Sequence, residues 1–109
     1  MILAFPTLEL RNLCLSQTKA EAKYGYKVAK LLRERLADLR AAESVLELVA
    51  GRPREMRSKP HNKYAINLAD GYRLVLEVNH QNVPQKASGQ VDWALVSRVK
   101  ILRIEVSDD

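Results

Sequence analysis

Cysteine is almost missing from this sequence. Cys14 stands alone among 109 residues, so no internal disulfide can close, and a reducing compartment such as the cytoplasm is the expected setting. Histidine is nearly as scarce, present as His61 and His80, and one thiol with two imidazoles makes no Cys/His cluster at metal-ligand spacing. The four glycines build no glycine-rich phosphate loop, and no serine stands in a nucleophile elbow. The expectation is a protein with neither a metal nor a nucleotide cofactor. Long hydrophobic runs are missing as well: Met1 to Phe5 is apolar, but a stretch that ends at Pro6 is too short for a signal-peptide core or a membrane span. No membrane partner is expected.

What is present describes a folded chain. Hydrophobic residues at 47% and charged residues at 28% are ordinary for a globular protein and unlike a disordered binder. With no break in composition, residues 1–109 read as one domain with one modest core. Eighteen Lys and Arg against thirteen Asp and Glu leave a formal charge of +5 and a pI near 9.6, which favours RNA, DNA or an acidic protein as partner.

Along the chain, Met1 to Phe5 reads as a short strand, and a helix capped by Thr7 carries Leu8, Leu10, Leu13 and Cys14. With Leu10 and Leu13 as neighbours, Cys14 reads as a small apolar packing residue rather than a reactive thiol. After a polar break at Ser16 and Gln17, a long helix is expected from Thr18 to about Ala42. Thr18 and Glu21 have capping-box spacing, and Tyr24, Val28, Leu31, Leu32, Leu36 and Leu39 form one apolar stripe. Gly25 falls inside this helix, at a cost of about 1 kcal/mol. Lys23, Lys27 and Lys30 share another face, which reads as solvated surface ahead of a phosphate track.

A short helical turn after Ser44 ends at Gly51. Strands follow: Arg54 to Arg57, Lys63 to Leu68, Tyr72 to Val78, and finally Val99 to Val106. Asp70-Gly71 between two alternating runs predicts an antiparallel hairpin. Asn79 to Gln90 reads as a long surface loop, and Asp92 as the cap of one helical turn. This order predicts an α+β fold: an N-terminal strand and two helices packed on one face of a mainly antiparallel sheet.

The chemistry-bearing residues gather in the strand region: Arg52, Arg54, Arg57, Lys59, His61, Lys63 and Arg73. Strand alternation puts Lys63 and Arg73 opposite the apolar face made by Tyr64, Ile66, Tyr72 and Leu74. The cluster is either solvated charge on an open sheet face or an anion site.

Several segments carry a resemblance. Lys23-Tyr24-Gly25, Ala29-Lys30-Leu31-Leu32-Arg33-Glu34-Arg35-Leu36 and Leu39-Arg40-Ala41-Ala42-Glu43-Ser44 form the first group. Tyr64-Ala65-Ile66-Asn67-Leu68, Gly71-Tyr72-Arg73-Leu74-Val75, Asp92-Trp93 and Val99 to Glu105 follow. In order and spacing they resemble the RelE/ParE toxin superfamily, in its HigB-like branch. The resemblance implies the toxin of a type II toxin-antitoxin system, acting as a ribosome-dependent, metal-independent mRNA endoribonuclease. It implies the ribosome, mRNA and a helix-turn-helix antitoxin as partners.

It also implies roles. Arg73 would clamp phosphate and transition-state charge through its planar fork, and Arg57 and Lys59, where the family carries basic residues, would hold the RNA backbone, Arg57 also as a catalytic candidate; from their place in the cluster, Arg54, Lys63 and Arg52 are further RNA-binding candidates and His61 a further catalytic one, set against its reading as a solvent-exposed loop histidine. His80 is a weaker candidate. The sequence departs from the family at Arg54, where members commonly carry histidine, at Ser58, where they carry glycine, and at Glu105-Val106-Ser107-Asp108-Asp109, where many end in Asp-Tyr-His. Arginine is too weak an acid to serve as an ordinary general base. The departures motivate an alternative, a non-enzymatic toxin-fold protein that inhibits gyrase or only pairs with its antitoxin. A third reading is a basic nucleic-acid-binding domain unrelated to toxins.

Overall fold

A computed structural model describes residues 1–107. Five strands, β1 (Ile2–Ala4), β2 (Arg54–Glu55), β3 (Lys63–Asn67), β4 (Tyr72–Val78) and β5 (Arg98–Val106), form one sheet in the order β1-β5-β4-β3-β2. β1 runs parallel to β5, and the remaining pairs are antiparallel. Three helices, α1 (Leu8–Leu15), α2 (Gln17–Tyr24) and α3 (Tyr26–Ala41), contribute to the core against one face. The α+β class read from the sequence is the class found.

The helix count differs, and Gly25 is the reason. It adopts φ 89 and ψ 167, a conformation that residues with a Cβ rarely enter. The helical path breaks there: its N–H donates to the Glu21 carbonyl (2.9 Å), closing α2, and its carbonyl accepts from Ala29 (3.1 Å), opening α3. Lys23 therefore belongs to a different helix from Lys27 and Lys30, and the lysine face expected along one helix does not form; all three are exposed. α2 also starts earlier than its Thr18 spacing suggests, because Ser16 leaves α1 in an extended conformation and its Oγ accepts from the Lys19 N–H at 3.2 Å. Thr7 caps α1 as expected, its Oγ1 accepting from Leu10 at 3.1 Å.

The apolar stripe of α3 builds the core. Val28, Leu32, Leu36 and Leu39 are fully buried together with Ile66, Leu74, Leu76 and Ile101 of the sheet, each burial stabilising by roughly 1.5–3 kcal/mol. The far end of α3 is closed by the Met1 ammonium, which donates to the carbonyls of Leu39 (3.0 Å), Arg40 (3.1 Å) and Ala42 (2.6 Å). A 3₁₀ turn at Val45–Glu47 follows, with Glu47 Oε2 accepting from the Ser44 N–H at 3.1 Å. The β3–β4 hairpin turns at Asp70-Gly71, as the dipeptide predicts, and the Tyr72 N–H closes it on the Ala69 carbonyl at 3.0 Å.

β2 is shorter than Arg54 to Arg57, although the Met56 N–H still reaches the Lys63 carbonyl at 2.9 Å. Trp93–Leu95 form one 3₁₀ turn without a side-chain bond from Asp92. Among the described residues, no helix is long and apolar enough to cross a membrane.

Cys14 is half-buried beside the core. Burial pushes its thiol up to about 11, against the opposing charge of Arg40, so the thiolate that reacts with electrophiles is scarce at neutral pH. The expected outcome is negligible labelling of the native protein by iodoacetamide at pH 8 and full labelling after denaturation. Rapid native labelling would contradict the packing reading.

Candidate functional site

The helix-free face of the sheet is organised as rows of paired residues. Lys63, Glu77 and Lys100 form one row; Arg54, Ala65, Val75 and Arg103 a second; Asn67, Arg73 and Glu105 a third. A β-bulge makes the last two possible. The pairing skips Leu102 between Leu76–Ile101 and Val75–Arg103, and one extra residue reverses the alternation of everything beyond it. Val99, Ile101 and Ile104 can thus all pack with the core, while Lys100, Arg103 and Glu105 share the opposite face.

That face is not an open sheet. Ala65 and Val75 lie on it and are fully buried. Arg73 retains 12% side-chain exposure and donates through Nε (2.9 Å) and Nη2 (2.6 Å) to Glu105 Oε2. Arg103 Nε donates to the other oxygen of the same carboxylate. The bond from Arg103, with those from Arg73, outweighs the partial burial that opposes it and holds the Glu105 carboxyl below the usual carboxylate value.

A group whose folded-state pKa is depressed contributes stability that is complete above its unfolded pKa and disappears as pH falls through the folded one. The loss from Glu105 therefore falls in acid, below the ordinary carboxylate range. Urea midpoints of the wild type and Glu105→Gln are expected to differ most near pH 7 and to converge on acidification; a gap that widens in acid would refute the assignment.

Beside this network opens a cleft of about 480 Å³, lined by Arg52, Arg54, Glu55, Met56, Arg57, Ser58 and Arg73. Its near wall is set by the Gly51 turn. The Gly51 carbonyl accepts from the Asn67 N–H at 2.6 Å, which pins the chain on β3 just before Arg52 and β2. Arg54 Nη1 then donates to the Arg52 carbonyl and to Asn67 Oδ1, both at 3.0 Å. Hydrogen bonds thus orient these side chains, limiting the ordering a ligand has to impose.

The structure gathers four of the sequence candidates, Arg52, Arg54, Arg57 and Arg73, and places the others elsewhere. Lys63 lies in its own row, 3.8 Å from Glu77. Lys59 is exposed and outside the cleft lining. His61 lines a neighbouring cleft. His80 Nε2 accepts from the N–H groups of Ser97 (3.0 Å) and Arg98 (3.2 Å) at the start of β5, a structural bond.

Sequence reasoning missed Glu105 as the partner of Arg73. The signal for Glu105 was the out-of-phase pair Ile101 and Ile104, which demands a bulge. Asp108 and Asp109, where the resemblance has Tyr-His, lie outside the described residues.

A layer of helices on one face of a mixed five-stranded sheet is the RelE/YoeB toxin fold, and this chain has that fold. Two solved structures share it. The YoeB dimer from Staphylococcus aureus is 16% identical with a TM-score of 0.57, over 96% of this chain and 94% of that one. The YoeB/ParE toxin from Agrobacterium tumefaciens is 9% identical with a TM-score of 0.59, over 97% and 98%. No family model matches the sequence, and no curated protein does.

Proposed function

We propose that this protein is the toxin of a toxin-antitoxin pair, of the HigB-like branch, and that it acts in the cytoplasm by cutting mRNA on translating ribosomes without a metal. The single observation that carries this reading is the convergence of Arg52, Arg54, Arg57 and Arg73 on one cleft in a chain with this fold.

RNA cleavage of this kind has three chemical needs. A base takes the proton of the ribose 2′-hydroxyl, cations stabilise the charge that develops on the pentacoordinate phosphorus, and an acid protonates the departing oxygen. Arg73, held by Glu105, supplies a preoriented guanidinium for the phosphorane, and Arg54 and Arg57 hold flanking phosphates. A helix-turn-helix antitoxin restrains the toxin by covering the arginines or blocking ribosome entry.

The test is induction of the chain alone, with cellular RNA ends mapped. Growth arrest with cuts that require translating ribosomes supports the reading, and unimpaired growth with no new ends removes it.

A second reading draws on the Arg73–Glu105–Arg103 network, which engages the central arginine inside the protein. Under it the chain is a toxin-fold binder that inhibits DNA gyrase or only pairs with its antitoxin. Purified protein that blocks gyrase supercoiling and leaves mRNA intact would favour it.

A further inference from the structure

The segment between β4 and β5 is more ordered than a surface loop. The Lys86 N–H donates to the Gln90 carbonyl (2.8 Å), Gly89 to Lys86 (2.9 Å) and Asp92 to Pro84 (2.9 Å), while Gln85 pairs with Val91. This makes a miniature hairpin. Between it and the turn at Pro60 to Asn62 lies a second cleft, of about 460 Å³, within the range of roughly 300–1,000 Å³ that small organic groups occupy. His61, Asn62, Val83, Gln85 and Gln90 line it, and Glu55 of the edge strand β2 borders both this cleft and the arginine cleft, so the two adjoin at that strand.

Their chemistry is complementary. The first is walled by four guanidinium groups; among the described residues lining the second there is no Lys or Arg, and three carboxamides stand there with an imidazole and apolar side chains. Cations hold phosphates, whereas base edges are read by neutral groups that both donate and accept, and unstacked RNA bases rest on rings and apolar surface. Each primary amide offers both a donor and an acceptor; Asn62 Oδ1 already accepts from Lys63 Nζ at 3.3 Å, which leaves its NH2 and a second lone pair for a base edge.

We propose that the second cleft is a nucleobase subsite. A base of the single-stranded RNA whose phosphodiester lies on the arginines turns into it, its edge on Asn62, Gln85 and Gln90 and its face against His61 and Val83. The inference rests on the ribonuclease reading for the nature of the chain and adds what selects its sequence.

The test is equilibrium binding of the full chain to short homopolymeric oligoribonucleotides of each base, to an abasic ribose-phosphate chain of equal length, and to the matching DNA oligomers. Wild type is compared with the triple variant Asn62→Ala, Gln85→Ala, Gln90→Ala. The wild type is expected to separate its best from its worst ribonucleotide base by about tenfold or more, the discrimination of one bidentate amide–base pair, and to bind the abasic chain most weakly. In the triple variant the ratio between bases falls towards one. A folding defect lowers all affinities together and leaves that ratio intact, so the ratio reports the subsite itself.

A wild type without base preference, a triple variant that keeps the preference, or a preference confined to DNA would each overturn the proposal. Arg57→Ala is measured alongside. If it leaves affinity for the abasic chain unchanged, the arginine-cleft reading is what fails, while the base ratio still decides the subsite.

Discussion

On the proposed ribonuclease reading, replacing Arg73 with alanine is expected to lower mRNA cutting by at least about a hundredfold and to relieve growth arrest, the scale on which a preorganised transition-state donor acts. The residue stands in the middle strand of the third cross-strand row, with Asn67 on one side and Glu105 on the other, and its guanidinium is fixed by two bonds to one carboxylate oxygen. A side chain oriented before substrate arrives loses little entropy when charge develops on phosphorus.

Arg73→Lys keeps the charge and loses the planar fork, so it recovers part of the activity and not all. In Arg73→Ala the bond from Arg103 still satisfies Glu105, which keeps the fold intact; circular dichroism spectra close to wild type accompany the loss. An alanine variant as toxic as the wild type would remove Arg73 from the mechanism and leave the binder reading in its place.

The second large effect is on stability. Gly51 has φ +86, and a Cβ there would lie 2.6 Å from Ile66 Cγ2 and 2.9 Å from the Asn67 carbonyl oxygen. Ile66 is fully buried in the core and the carbonyl is backbone, so neither can give way cheaply. Left-handed strain and overpacking together make Gly51→Ala cost about 2–4 kcal/mol, a fall in Tm of roughly 10–15 °C for a chain of this size.

Gly25 supplies the control. Its φ of +89 with ψ 167 lies in a region essentially confined to glycine, and nothing stands within 4 Å of where a Cβ would sit, so Gly25→Ala carries the conformational cost alone, roughly 1–3 kcal/mol. A Gly51→Ala loss below about 1 kcal/mol would mean that crowding at Gly51 is not the cause. Because Arg52 follows Gly51 directly and β2 begins at Arg54, the Gly51 variant also loosens the arginine cleft.

Features carried by local pattern were legible in the sequence. The stripe Val28, Leu32, Leu36, Leu39 announces a helix that buries one side, and those side chains are buried. Asp70-Gly71 between alternating runs announces a hairpin, and alternation along β4 assigns Arg73 to the face opposite Leu74 and Leu76, where its row with Asn67 and Glu105 lies. Each depends on residues within a few positions of one another.

The helix break at Gly25, the bulge at Leu102 and the membership of the cleft were not legible in that way. A glycine within a helical pattern costs about 1 kcal/mol if the helix continues, too little to decide between continuing and turning. What decides is whether the next apolar residues, Val28 and Leu32, reach the sheet. The bulge likewise depends on the partner strand, because only pairing with β4 reveals that Leu102 is the residue left out.

By itself, then, the sequence determined the class of fold, the buried helix face, the hairpin and the side of the sheet that carries Arg73, since all follow from periodicity and turn chemistry along the backbone. Only the tertiary structure decided that Arg52, Arg54, Arg57 and Arg73 share a cleft, that Lys63 and His61 do not, and that Glu105 holds Arg73. Those relations join strands far apart in the chain, and their distances are set by strand register; the slip in apolar phase at Ile101 and Ile104 signals an extra residue in β5, but only pairing with β4 says which residues it brings face to face.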